Sequence, residues 1–136
     1  MASEPKTKPT DASVTDFIAA VENPVRRADA ETVLKMLGEV SGEPPVLWGA
    51  SIIGFGSYRG PTGDWPIIGF SPRKANLVVY LMTGFSGEAE LLARLGKHKT
   101  GSSCLYINKL ADVDLDVLRQ MAERSTTDMR ARYPVG

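Results

Sequence analysis

The chain has 136 residues, with 16 basic and 16 acidic side chains and one cysteine. This length suits one domain, because a second hydrophobic core would leave each unit too small. Because these charges balance, the sequence disfavours a function in which excess positive charge binds nucleic acid or an anionic membrane. No apolar run approaches the roughly 20 residues that cross a bilayer. One cysteine cannot form an internal disulfide and no secretory signal is evident, so the sequence predicts a cytoplasmic protein.

The N-terminal stretch, residues 1–12, is rich in Ser, Pro, Lys and Thr and has almost no apolar side chain to bury. Ordering it would cost backbone entropy without apolar burial in return, so we expect a flexible tail followed by a single domain over residues 13–136. Ser13, with Asp16 three residues later, is typical of a helix start and predicts a short helix over residues 13–22.

A second helix is predicted from Asn23-Pro24, since asparagine is a good N-cap and proline is tolerated at the first helical position. Apolar residues at helical spacing continue to Val40, and Gly42 predicts the helix end. The charged residues that fall four apart on the solvated face are Arg27, Glu31 and Lys35.

From residue 46 onward, β-branched and aromatic residues alternate with glycines, which is typical of strands joined by tight turns. The predicted strands cover residues 50–58, 65–71, 76–83 and 104–107. The links between the first three strands are short enough for antiparallel hairpins. The third strand has apolar residues on both faces, which predicts a central position in the sheet.

Two further helices are predicted around the last strand. Ser86 is expected to cap a helix that ends at Gly96, and Asp114 is expected to open the final helix. The apolar side of the final helix carries Leu115, Leu118, Ala122 and Met129. The element order is therefore ααβββαβα, and we predict an α+β domain in which about four helices pack on a mainly antiparallel sheet of about four to five strands.

The segment RLGKHKTGSSCLYINKL, residues 94–110, holds the only histidine, His98, and the only cysteine, Cys104. Gly96 and Gly101 have the separation of the glycines in a phosphate-binding loop. A serine stands where that loop needs lysine, and the segment follows a helix instead of opening one, so a nucleotide-binding loop is rejected. Cys104 and His98 are also the residues that an enzyme would use as nucleophile and base, whereas a cysteine in a strand is more often a small buried side chain.

Cationic residues in turns form the main candidate site. Arg73 and Lys74 follow the second predicted strand, and residues 97–99 lie between the third helix and the fourth strand. If the two turns meet, these side chains and the amides of glycines such as Gly101 would hold a carboxylate or phosphate. The candidate ligand-binding residues are Trp48, Arg73, Lys74, Lys97, His98, Lys99, Gly101 and Tyr106. No catalytic or metal-ligating residue is assigned.

Three blocks occur in the order PPVLWGASIIGFGSY, WPIIGFSPRKANLVVYL and LLARLGKHKTGSSCLYINKLADVDLDVL. On these blocks, from about residue 29 to residue 125, the chain resembles the YdhG-like family of small bacterial domains of unknown function. The resemblance implies a compact, cytoplasmic α+β domain without an established general activity. One branch of that family is described as a frataxin-like iron chaperone, which implies iron as a ligand. The scattered acids available for such a role are Asp29, Glu31, Glu39 and Glu43.

Three functional hypotheses follow. The leading hypothesis is a noncatalytic domain that binds a small anionic molecule or a protein partner at the sheet end formed by Arg73, Lys74 and residues 97–101. The second is iron handling by carboxylates, and iron is the one cofactor that the resemblance suggests. The third is an enzyme that uses Cys104 or His98.

Overall fold

The computed structural model describes residues 9–49, 51–60 and 63–133. The α-helices in these ranges are α1 (Val14–Ala19), α2 (Pro24–Ser41), α3 (Ala89–Leu95) and α4 (Leu115–Arg132). The strands are β1 (Pro45–Trp48), β2 (Ile52–Phe55), β3 (Tyr58–Gly60), β4 (Gly63–Trp65), β5 (Ile68–Pro72), β6 (Leu77–Leu81), β7 (Lys99–Thr100) and β8 (Cys104–Ile107). A single 3-10 turn, Leu110–Asp112, precedes α4. The predicted α+β class is confirmed.

Six of the strands form one sheet in the order β1-β2-β5-β6-β8-β7, and every neighbouring pair is antiparallel. Strands β3 and β4 form a separate two-stranded hairpin. The antiparallel sheet and the interior position of β6 were both predicted from the sequence and are confirmed. The predicted number of strands was too low, because the described residues alone form eight.

The predicted order ααβββαβα differs from the observed order mainly between residues 45 and 65. The predicted strand over residues 50–58 is divided between β2 and β3 by a turn at Gly56 and Ser57. Strand β1 was not predicted, because Pro44 and Pro45, which follow the predicted helix end at Gly42, are unfavourable inside a strand. Proline is acceptable at the first residue of an edge strand, and β1 is such an edge.

The helix starts follow local capping signals in three cases of four. The Ser13 hydroxyl, the Asn23 amide oxygen and the Asp114 carboxylate each accept hydrogen bonds from backbone N–H groups of the first turn, which leaves fewer of those groups unpaired. The prediction that Ser86 caps the third helix is wrong. Helix α3 begins three residues later, and Glu88 at its N-cap position makes no capping hydrogen bond.

The helices cover one face of the six-stranded sheet. Alternate strand residues, such as Phe55, Phe70, Val79 and Leu105, share a buried core with apolar residues of all four helices. Burying one such side chain contributes about 1.5–3 kcal/mol relative to leaving it in water. Of the apolar residues predicted for α4, Leu115 is instead 38% exposed, because it lies at the first position of the helix.

The other face of the sheet carries no helix among the described residues. Its side chains on β6 and β8 include Val78, Tyr80, Cys104 and Tyr106, which lie opposite one another in the antiparallel register. Three of these four are partly exposed. This helix-free face is where polar and aromatic side chains of the two strands meet.

The predicted flexible tail, residues 1–12, lies mostly outside the described residues. Within its described part, Pro9 forms an isolated bridge with Trp48, and Thr10 donates hydrogen bonds to the Leu47 carbonyl from its backbone N–H (2.9 Å) and its hydroxyl (2.8 Å). These contacts cover the outer edge of β1. In the described part of the chain, no helix is both long and apolar enough to cross a membrane.

Candidate functional site

The loop after α3 is fixed by a close backbone contact at Gly96. This residue has φ 113°, and a Cβ atom there would lie 2.3 Å from the carbonyl oxygen of Asp112. Only glycine fits such a position. The Lys97 N–H donates to the same carbonyl at 3.2 Å, and the Asp114 N–H donates to Leu95 at 2.7 Å. The loop is therefore held against the segment before α4, which sets the direction of the following residues, 97–99.

Residues 97–99 open onto a concave site that we call the β8 cavity. Its volume is about 280 Å³. The residues that line it are Ala75, Asn76, Lys97, His98, Lys99, Tyr106 and Asn108. The loop and the turn between β5 and β6 therefore line one cavity, to which the turn contributes Ala75 and Asn76. Four of the eight candidate ligand-binding residues share this cavity.

The cations of the β8 cavity have no acidic partner in the part of the chain that the structure describes. All four ion pairs found among the described residues use arginines, Arg59, Arg119, Arg124 and Arg130. Neither Lys97 nor Lys99 has a carboxylate within 4 Å among those residues, and the cavity lining contains none. The Nδ1 atom of His98 lies 2.7 Å from the Gly96 carbonyl. Because a carbonyl only accepts hydrogen bonds, Nδ1 carries the hydrogen, and Nε2 is left for a ligand.

The walls of the cavity are held by Arg26, a residue that the sequence analysis did not select. Its side chain is 8% exposed. The Nη1 group donates to the carbonyls of Arg73 and Lys74, and the Nη2 group donates to the Asn108 carbonyl at 2.9 Å. One guanidinium thereby joins α2 to the β5–β6 turn and to the end of β8.

A sequence signal for Arg26 did exist. It precedes Ala30, Val33 and Leu37 at helical spacing, and all three of these residues are buried in the core. A cation in phase with an apolar stripe is expected to be buried, and burying a charge is unfavourable unless the side chain reaches a polar partner. This pattern distinguishes Arg26 from Arg27, which was assigned to the solvated face of the helix.

Arg73 and Lys74 do not enter the β8 cavity. They line a different cavity, on the α1 side of the same turn. The Arg73 Nη2 atom donates a hydrogen bond of 2.6 Å to the Tyr80 hydroxyl on the helix-free face. The turn therefore presents its cations and its residues 75–76 in different directions, which the sequence could not show.

Two other candidate residues have different positions. Trp48 is buried and lies over Gly54, at the opposite edge of the sheet from β7 and β8. Gly101 lies against the Tyr106 ring, and its N–H donates to the Cys104 carbonyl at 2.8 Å. That amide is therefore already used within the protein, and an anion held by it is not supported.

Two tyrosines of the helix-free face have perturbed acidities. Burial raises the pKa of Tyr80, and the Arg73 guanidinium, which lowers it, offsets only part of this effect. A hydrogen bond with the Cys104 side chain is the main cause that raises the pKa of Tyr106. Both phenols therefore stay protonated at neutral pH. Tyr106 lines the β8 cavity as a neutral polar group.

Cys104 and His98 are not brought together as a nucleophile and a base. Lys99 pairs with Tyr106 and Thr100 with Leu105, so the position opposite Cys104 is three residues along the chain from His98. At about 3.3 Å per residue, this separation is roughly 10 Å. The imidazole bonds to its own loop, and no hydrogen bond joins it to the thiol in the described part of the chain.

The acids considered for iron have mostly structural partners. The Asp29 carboxylate accepts from the Leu110 N–H at 3.0 Å. Glu39 pairs with Arg119, and Glu43 with Arg130. Across residues 9–49, 51–60 and 63–133, no group of three or more His, Cys, Asp or Glu side chains is arranged to hold a metal ion.

No protein-family model, curated protein or solved structure matches this chain.

Proposed function

We propose that the protein binds a small anionic molecule in the β8 cavity without catalysing a reaction on it. The observation that carries the proposal is that Lys97 and Lys99 line a concave site to which the described residues contribute no carboxylate. Cations collected in a concave surface produce a positive potential that attracts anions. The neutral groups around them, from Asn76, Asn108 and Tyr106, are suited to hydrogen bonding with phosphate or carboxylate oxygens.

The size of the cavity limits the ligand. A volume of about 280 Å³ lies just below the range of roughly 300–1,000 Å³ that is usual for small-molecule sites. A phosphomonoester or a short dicarboxylate fits such a volume better than a nucleotide does. The tie from Arg26 to the Arg73 and Asn108 carbonyls keeps two walls in place, so little ordering is needed when a ligand binds.

The proposal is tested by titrating inorganic phosphate into labelled protein and following backbone amide shifts at constant ionic strength. Two charge-assisted hydrogen bonds of about 1.5–3 kcal/mol each correspond to a Kd on the order of 1 mM. We expect saturable shifts at residues 75–76 and 97–99. Lys99→Ala is expected to weaken binding at least about tenfold, since it removes roughly 1.4 kcal/mol or more.

Lys35→Ala is the matched control, because it removes the same charge from an exposed position on α2. It should leave phosphate affinity within about twofold of the wild type, as screening by salt weakens distant charges. Equal effects of the Lys35 and Lys99 substitutions, or no saturable shift, would refute the proposal. Calorimetry with ferrous iron separates it from iron handling, for which binding would depend on the α2 acids and be indifferent to Lys99→Ala.

A further inference from the structure

A second cavity lies on the other side of the β5–β6 turn, and the anion-binding proposal does not use it. We call it the α1 cavity. Its volume is about 510 Å³, and it lies between the α1–α2 connection and the start of the turn. This volume falls within the range of roughly 300–1,000 Å³ for small-molecule sites. It is therefore large enough for an organic molecule with an apolar body.

The walls of the α1 cavity are largely apolar. Phe17 and Val21 line it from the end of α1, and Pro72 lines it from the end of β5. Phe17 and Val21 remain partly exposed, although they belong to the segment that packs toward the core. When an apolar ligand displaces water from partly exposed apolar side chains in a concave surface, apolar surface is removed from water, which favours binding.

The charge in this cavity comes from Arg26, which is nine-tenths buried, with 8% of its surface exposed. Its hydrogen-bond partners are the neutral carbonyls of Arg73, Lys74 and Asn108. No carboxylate lies within 4 Å of it among the described residues. A buried cation normally has an anionic partner, because removing an unpaired charge from water is unfavourable. Its Nε–H has no acceptor in the described part of the chain.

The remaining charged groups define the net charge that the cavity accepts. Lys74 adds a second cation, and Glu22 adds one acid. The Arg73 guanidinium donates to the Tyr80 hydroxyl on the helix-free face, so its charge is left out of the net charge of the cavity. One excess positive charge favours a monoanion over a dianion.

We propose that the α1 cavity binds an organic acid with one carboxylate and an apolar body. The carboxylate lies toward Arg26 and Lys74, and the apolar body packs against Phe17 and Val21. The site is distinct from the β8 cavity, since the turn at residues 73–76 separates the two. The protein would then carry two ligand sites of different chemistry.

The probe that tests this site is 3-phenylpropionate, with its uncharged amide, 3-phenylpropionamide, as the matched ligand. We expect the acid to shift the amide signals of residues 20–26 and 72–74 in labelled protein and to bind at least about tenfold more tightly than the amide. Equal affinity of acid and amide, or no saturable shift with the acid, overturns the proposal.

Protein variants provide the second part of the test. Removing Arg26 would disturb the fold, so Ala20→Trp is preferred, because Ala20 is exposed and lines the cavity. The indole would fill the cavity and weaken 3-phenylpropionate binding at least about tenfold. Ala28→Trp, on an exposed position of α2 outside the lining, should leave binding unchanged. Retained affinity in Ala20→Trp, or its loss in Lys99→Ala, which would place the ligand in the β8 cavity, refutes the proposal.

Discussion

Replacing Arg26 by methionine tests whether one guanidinium holds the site together. In the structure it donates to the carbonyls of Arg73 and Asn108, and more weakly to that of Lys74 at 3.3 Å. A hydrogen bond to a charged group contributes about 1.5–3 kcal/mol, so the two better bonds give about 3–6 kcal/mol as an upper limit. Methionine keeps the apolar packing of the stem, and the carbonyls of the exposed turn can form hydrogen bonds with water instead, which reduces the loss. We therefore expect a loss of about 3 kcal/mol in the free energy of unfolding.

Urea denaturation measures this loss. With a slope of about 2 kcal/mol per M for a domain of this size, the midpoint should fall by roughly 1.5 M with the slope unchanged. The Arg26→Lys variant keeps the charge but cannot reach three carbonyls at once, so its urea midpoint should lie between those of the wild type and Arg26→Met. Lys35→Met, at an exposed position of the same helix, should stay within about 0.5 kcal/mol of the wild type. If Arg26→Met also stays within 0.5 kcal/mol, the assigned role of this residue is wrong.

Two other predictions concern packing and pH. Gly54→Ala should lower the free energy of unfolding by about 1–3 kcal/mol, because the new Cβ would lie 2.7 Å from the Trp48 ring. Gly38→Ala should raise the free energy of unfolding by about 0.5–1 kcal/mol, because its position is helical and the nearest contact of the new Cβ is at 3.9 Å. If thermal denaturation shows changes of the same sign for both variants, the packing described for these glycines is contradicted. The pKa of Tyr80 is raised above 10.0 in the folded state, so its contribution to stability is complete below about pH 10 and is lost as the pH rises through the folded-state pKa. The Tyr80→Phe variant should therefore lose less stability than the wild type between about pH 9 and 11.5. If urea denaturation gives the same change of stability with pH for both proteins, this prediction is wrong.

The local elements were predictable because their signals are local. Asn23 and Asp114 cap helices through hydrogen bonds to N–H groups two or three residues away, and such bonds form whatever the rest of the fold does. The apolar residues on both faces of β6 likewise favoured an interior position, and β6 lies between β5 and β8, although Tyr80 on the helix-free face is partly exposed. Strand β1 and the exact start of α3 escaped prediction, because their proline and serine signals allowed more than one structure.

The candidate site was predicted only in part, since its chemistry was readable and its geometry was not. The cations of residues 97–99 and the tyrosine of β8 were identified by residue type, and they share a cavity. The sequence did not show that Arg73 and Lys74 would line another cavity or that Trp48 would lie at the far edge of the sheet. These positions depend on strand order, which no local pattern specifies.

By itself, the sequence determined the class of the fold, most helix boundaries and the residue types available for anion binding. The tertiary structure alone decided which of these residues meet. Arg26 contacts carbonyls 47 and 82 residues away along the chain, and each such contact exists only because an antiparallel sheet brings the ends of β5 and β8 together beneath α2. The physical reason is that hydrogen bonds and side-chain contacts act over a few ångströms in space, whereas a sequence pattern reports only on neighbours along the chain.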